Sequence, residues 1–265
     1  NARKEPQMKL LLKPILIAAV LGVASFALAA EAPFAGTWKL NLDKSKLTGD
    51  TVKFSSAAGG MRVTGSGESY EFKTDGSESK TRFGTASWKK IDEKTWEETD
   101  MVNGRLDSKT TWTLSDDGKT LTARVTGDKP GGGSFDDTSI YVRTAGTNGL
   151  TGTWKDKEFK GSSPSLFTLT DTDNGVTFDE PDFKLKAVGK FDGKPGTVEG
   201  PSIPPGASFV LAKAGPRGFK MTRTQNGKPW DISTWTVSSD GKSMTVVTRT
   251  AGTTDPPTTA VYERQ

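Results

Sequence analysis

Residues 111–122 read TWTLSDDGKTLT, and residues 234–245 read TWTVSSDGKSMT. In the first copy Trp112 and Leu114 alternate with polar residues, Asp117-Gly118 turns the chain, and Leu121, Ala123 and Val125 return on the same face. Alternation with a period of two, broken by an Asp-Gly pair that tolerates positive φ, specifies a β-hairpin with one buried face. The pattern extends to both sides. Trp38, Leu40 and Leu42 alternate with Lys39, Asn41 and Asp43. Val52 with Phe54, Met61 with Val63 and Tyr70 with Phe72 mark further short strands, separated by turns at Gly59-Gly60, Asp75-Gly76 and Asn103-Gly104. No segment after residue 29 carries a sustained helical period with caps, so the chain reads as all-β, with strands spaced for a sandwich or a barrel.

The hairpin is one of several features that occur twice. Gly36-Thr37-Trp38-Lys39 returns as Gly152-Thr153-Trp154-Lys155, Asp75-Gly76 as Asp192-Gly193, and Asn103-Gly104 as Asn226-Gly227. Ile140-Tyr141-Val142-Arg143 returns as Val261-Tyr262-Glu263-Arg264. The offset is 116 at the first match, 123 at the hairpin and 121 at the last, because residues 200–208, GPSIPPGAS, form a proline-rich loop that the first copy lacks. Solenoid repeats run to about 20–50 residues, so a repeat this long is a domain and not a stacking unit. Each copy holds eight to ten strand candidates, enough to close a barrel. The expected organisation is two tandem up-and-down antiparallel barrels, residues 30–146 and 147–265, joined through the small polar segment TAGTNG at residues 144–149. One composite sheet built from both copies is the alternative.

The first 29 residues have a different character. Met8 is followed by Lys9 and Lys13, an apolar run from Pro14 to Leu28, and the small-x-small triplet Ala27-Leu28-Ala29. These are the parts of a secretory signal peptide, so residues 8–29 are expected to be a signal and residues 1–7 a tag or upstream extension. A membrane anchor is the competing reading, but the apolar stretch is short for a span. The expected product is exported, periplasmic or secreted, with no membrane attachment after signal cleavage. The segment through Ala29 carries Arg3, Lys4, Lys9 and Lys13 against Glu5, which is +3 of the chain's +4 and leaves +1 for the rest. There the charges are interspersed, as in SESKTRFG and KKIDEKTWEE, which argues against a nucleic-acid-binding face. The chain has no cysteine and no histidine, which removes disulfides, lipid attachment, His-dependent catalysis and His-ligated zinc or haem.

A Gly-x-Trp on the first strand with an Arg on the last occurs in both copies, as Gly36 and Trp38 with Arg143, and as Gly152 and Trp154 with Arg264. This resembles the pattern of the calycins, the lipocalin and fatty-acid-binding superfamily. GTWKLNLDKSK, the DGKxxT hairpin and the final VYERQ are similar to exported bacterial lipocalin-like domain proteins, here in two tandem copies. That likeness spans the chain after the leader and brings no biochemical role with it. The resemblance implies that each Trp lies at the closed end of a barrel with an Arg across its face. A guanidinium there gains cation–π attraction, and its donors can bind the carbonyls that close the base. On this reading Gly36, Trp38, Arg143, Gly152, Trp154 and Arg264 are structural, and each Trp stacks on the Arg of its own copy. LTGTWK also resembles the opening of avidin-type biotin binders; the rest of their ligand-contacting ring finds no match, and a biotin binder stays a minor alternative.

Candidate cavity-lining residues are Leu40, Leu42, Trp112, Leu114, Asp156, Glu158, Trp235 and Val237. Trp112 and Trp235 hold equivalent places in the two hairpins, inward beside Leu114 and Val237, where they either fill a core or line a pocket. Trp88, Trp96 and Trp230 have no Trp at their matched positions. Leu40 and Leu42 correspond by offset to Asp156 and Glu158. If the strand keeps its register, the second barrel is the more polar, suited to a cation or an amine, and the first is apolar. Otherwise the strand ends after Trp154 or the pair sits at a solvated mouth, because unpaired buried carboxylates are costly. DTDNG at residues 171–175 lacks an acid at the fifth position of a calcium loop and a glutamate at the twelfth, where Asp182 stands, and reads as a hairpin turn. Ser77-x-x-Lys80 and Ser239-x-x-Lys242 lack the helix that a serine–lysine catalytic pair requires. WEETD at residues 96–100 reads as a strand with alternate residues toward water.

The expected function is noncatalytic binding of a small apolar or amphipathic molecule, with no metal, cofactor, catalytic residue or nucleic-acid partner. The alternative is an envelope structural or protein-interaction module whose barrels are filled and whose proline-rich loops make the contacts.

Overall fold

The computed structural model describes residues 32–265, so the signal and tag readings for residues 1–29 lie outside the described residues. The first copy contains β1 (Gly36–Lys46), β2 (Thr51–Ala57), β3 (Gly60–Gly65), β4 (Glu68–Phe72), β5 (Asp75–Lys80), β6 (Thr85–Lys90) and β7 (Thr95–Val102). The quoted hairpin supplies β8 (Arg105–Leu114) and β9 (Thr120–Asp128), followed by β10 (Ser134–Ala145). The second copy runs through β11 (Gly152–Lys160), β12 (Leu166–Thr172), β13 (Gly175–Glu180), β14 (Leu185–Lys190) and β15 (Pro195–Glu199). It ends with β16 (Ala207–Lys213), β17 (Gly218–Gln225), β18 (Lys228–Val237), β19 (Ser243–Thr250) and β20 (Thr258–Arg264).

The two hairpins form as their sequences dictate. Trp112 pairs with Ala123 and Leu114 with Leu121; Trp235 pairs with Val246 and Val237 with Met244. Each turn is fixed by an aspartate, whose Oδ1 accepts from a backbone N–H two residues on: Asp117 from Lys119 at 3.0 Å and Asp240 from Lys242 at 3.1 Å. Such Asx turns satisfy the turn backbone locally and set the register of both strands.

Two antiparallel barrels result, but they are not the contiguous segments 30–146 and 147–265. The GTWK strands are exchanged. The closed second barrel is β1 with β12–β20, and the nearly closed first barrel is β2–β10 with β11. Trp38 on β1 lies opposite Phe167 and Arg264, whereas Trp154 on β11 lies opposite Arg143 and Val52. Both strands begin with GTWK and fit either base, so the connections decide. Residues 146–151 join β10 to β11 as neighbours in one sheet, the arrangement of least loop-closure cost. TAGTNG is therefore a hairpin connection inside the first barrel, not a link between domains. The chain crosses between barrels at residues 47–50 and 161–165.

The exchange also corrects the expected stacking. Arg264 lies over Trp38 at 4.3 Å and Arg143 over Trp154 at 3.9 Å, so each indole meets the Arg of the other copy, which is the Arg of its own barrel. The two bases are otherwise alike. Arg143 donates from Nε to Gly118 O at 2.7 Å, from Nη1 to Thr151 O at 2.7 Å and from Nη2 to Gly149 O at 2.6 Å. Arg264 donates to Gly241 O, Ala35 O and Pro33 O. Gly36 and Gly152, with φ of 137° and 152°, are required here because the guanidinium Nη1 occupies the space a Cβ would need.

Candidate functional site

The barrel interiors follow from alternation along each strand. Aligning Asn103-Gly104 with Asn226-Gly227 superposes two hairpins of identical register. Trp96, Glu98 and Asp100 on β7 face Trp112, Thr110 and Ser108 on β8; Phe219, Met221 and Arg223 on β17 face Trp235, Ser233 and Asp231 on β18. A bulge falls at the same place in both, after Asp100 and after Arg223. Backbone and register are shared. The inward side chains are not, and they give the two barrels different interiors.

Side chains occupy the first barrel. Trp88 stacks on Phe72 at 4.4 Å and on Trp112 at 5.9 Å, and Phe54 packs edge-on to both tryptophans. Glu98 stands among these rings, accepting from Tyr70 Oη at 2.8 Å and from Trp112 Nε1 at 2.9 Å. Trp88 Nε1 donates in turn to Tyr70 Oη at 3.1 Å. Burial, then the neighbouring Asp100, holds the Glu98 carboxyl well above the usual carboxylate range. Asp100 is raised with it, again chiefly by burial. Network and rings together form a polar-centred aromatic core.

The second barrel holds a cavity of about 410 Å³. Its walls are aromatic and aliphatic, with Phe167, Phe178, Phe209, Met221, Trp235 and Val246 in one layer. At the positions that match Trp88 and Glu98 stand Leu211 and Met221, which fill less space and leave no carboxylate in the centre. One step nearer the mouth the lining turns polar. Arg223 Nε binds both oxygens of Asp231, at 2.9 and 3.0 Å, and Trp230 Nε1 donates to Asp231 Oδ2 at 2.9 Å. Glu180, Tyr262, Ser165 and Thr248 complete this ring. Burial, with Asp182 beside it, pushes the Glu180 carboxyl up to about 7, partly offset by Lys129.

The mouth is built from both copies. Leu47 and Ser165, from the two crossing segments, line the cavity, as does Ile203 of the proline-rich loop. That loop is held by the first barrel, where Asn103 Nδ2 donates to Pro201 O at 3.2 Å and Ile203 O at 2.8 Å. Phe83 packs edge-on against Trp230 at 5.1 Å, and Arg82 donates to Lys228 O at 3.2 Å. The feature that lacks a counterpart in the first copy thus sits where the two barrels meet.

Of the candidate lining residues, Trp235 borders the cavity and Val237 lies buried beneath it. Trp112 and Leu114 are buried in the filled barrel. Leu40 and Leu42 on β1 are half-buried and do not border the cavity. Asp156 is buried, but in the first barrel, because β11 has moved there. Its Oδ1 has no hydrogen-bond partner, and burial with the charge of Asp50 pushes it up to about 6. Glu158 points outward and pairs with Lys160 at 2.9 Å, since a bulge between Tyr141 and Ile140 reverses the phase of β11 after Asp156. The polar and apolar assignments of the two barrels are accordingly reversed. Glu98, Asp100, Glu180, Arg223 and Asp231 were the residues missed, yet all share the inward phase of an adjacent aromatic.

No protein-family model, curated protein or solved structure matches this chain. The fold is two antiparallel β-barrels compatible with a lipocalin-like architecture and with a binding protein.

Proposed function

We propose that the protein is an exported, noncatalytic binder of one small, largely apolar molecule held in the second barrel. The observation that carries this reading is the cavity of about 410 Å³, with aromatic walls and a few convergent polar groups at its mouth. Concave, mostly apolar sites with few placed polar groups are the usual form of small-molecule pockets. Export rests on the basic, apolar and small-residue pattern of residues 8–29. The interaction-module alternative relied on the proline-rich segments, and these are engaged within the chain. Residues 200–206 dock on Asn103, Pro256 packs on Gly49, and Asp255 binds Thr51 and Lys155.

Native mass spectrometry of the protein isolated from its own host tests the proposal. A single co-purifying organic adduct, released by mild activation, is expected. An unliganded chain that also shows no saturable uptake of decanol would overturn it.

A further inference from the structure

We propose that the second barrel selects an amphiphile with a protonated amine head, and that Glu180 is the residue that selects it. This rests on the binding reading above and names the ligand class of that same cavity.

The charges around the mouth are Arg223, Asp231, Lys129, Asp182, Glu180 and, against Trp230, Arg82. Arg223 is forked onto Asp231, with Nε at 2.9 and 3.0 Å from the two carboxylate oxygens. Lys129, its side chain only 8% exposed, reaches Asp182 Oδ2 at 2.7 Å. Arg223 and Lys129 are therefore each matched by a carboxylate, and Arg82 is held by the Lys228 and Pro229 carbonyls. Glu180 is left as the one carboxylate of the ring without an ion-pair partner among the described residues. It stands on β13 in phase with Phe178 and Val176, and so faces the same cavity. A carboxylate in such a place is costly unless a donor or cation meets it.

An anionic head would lie beside Glu180 and Asp231, and the Arg223 guanidinium that would attract it is already forked onto Asp231. A neutral head would leave the carboxylate unpaired. An ammonium supplies the missing charge, and the Phe178 ring on the same lining attracts a cation, whereas Trp230 is already met by Arg223 at 5.3 Å and Arg82 at 5.9 Å. The tail then lies in the layer of Phe167, Phe209, Met221 and Val246. Tyr262 adds a hydroxyl at the same level. Because burial and Asp182 raise the Glu180 carboxyl toward neutrality, selection belongs to the alkaline side of neutral pH, where the carboxylate is ionised and an alkylamine is still protonated.

Three probes with the same tail separate the possibilities: decylamine, decanol and decanoate, titrated calorimetrically at pH 8 below their aggregation limits. The amine is expected to bind about tenfold more tightly than the alcohol, as one charge-assisted contact provides. Decanoate should bind more weakly than the alcohol. Glu180→Gln should bring the amine down to the alcohol. Equal binding of amine and alcohol by the unmodified protein, a preference for decanoate, or an amine advantage that survives Glu180→Gln would overturn the proposal. If decanol binds and the amine has no advantage, the selectivity alone fails. If none of the three binds, the cavity reading fails with it.

Discussion

At position 98 the first copy places a glutamate between Tyr70 and Trp112, and at the matched position the second copy has Met221. The carboxyl is retained in the core because two donors meet it, and burial keeps its proton on to higher pH than in the unfolded chain. The sign follows. A raised carboxyl pKa means that the folded state binds the proton more tightly, so the stabilisation is present at acid pH. It is lost as pH rises from the ordinary glutamate value of 4.5 through the raised one. Asp100, Asp156 and Glu180 are shifted in the same direction. The melting temperature should therefore fall by roughly 5 °C between pH 5 and pH 9. Glu98→Gln should flatten that slope, and differential scanning calorimetry across the range reads both. A melting temperature that rises with pH, or a slope that the substitution leaves untouched, would contradict this account of the core.

At the scale of the strand, hairpins were legible and strand partners were not. Trp112, Leu114, Leu121 and Ala123 fix a register through alternation and an Asx turn, all within a dozen residues. The choice between β1 and β11 for a given barrel cannot be read in the same way, because GTWK is identical in both and only connection geometry distinguishes the outcomes. The bulge after Asp156 is similarly silent, since a one-residue phase change leaves no mark on residue types. Glu98 and Asp100 were legible in principle. They follow Trp96 in phase, yet their charge argues for solvent until Tyr70 and Trp112 are known to meet them. The exchange is testable in a chain that has no cysteine of its own. Lys53 and Thr153 are cross-strand partners on the outer face, and Thr37 holds in β1 the place of Thr153 in β11. Lys53→Cys with Thr153→Cys should form an intramolecular disulfide under mild oxidation, seen as a faster-migrating band without reductant. Lys53→Cys with Thr37→Cys should not. The reverse pattern would return each GTWK strand to its own copy.

For the whole molecule, duplication has produced one frame with two interiors. The exchanged strands lock the barrels together, and both crossing segments run past the mouth of the cavity. The first barrel supports this mouth through Asn103, Phe83 and Arg82 while its own interior is filled by Trp88, Trp112 and the Glu98 network. Residues shared by the copies, such as the Trp–Arg bases, hold the frame. Residues that differ, such as Glu98 against Met221 and Trp88 against Leu211, decide which barrel is open. The most direct measurement is the stoichiometry of decanol binding by calorimetry. One molecule per chain is predicted, lost when Ala187→Phe fills the wall of the second cavity and retained in Glu98→Gln. Two molecules per chain, or binding that survives Ala187→Phe, would contradict the division into one filled and one open barrel.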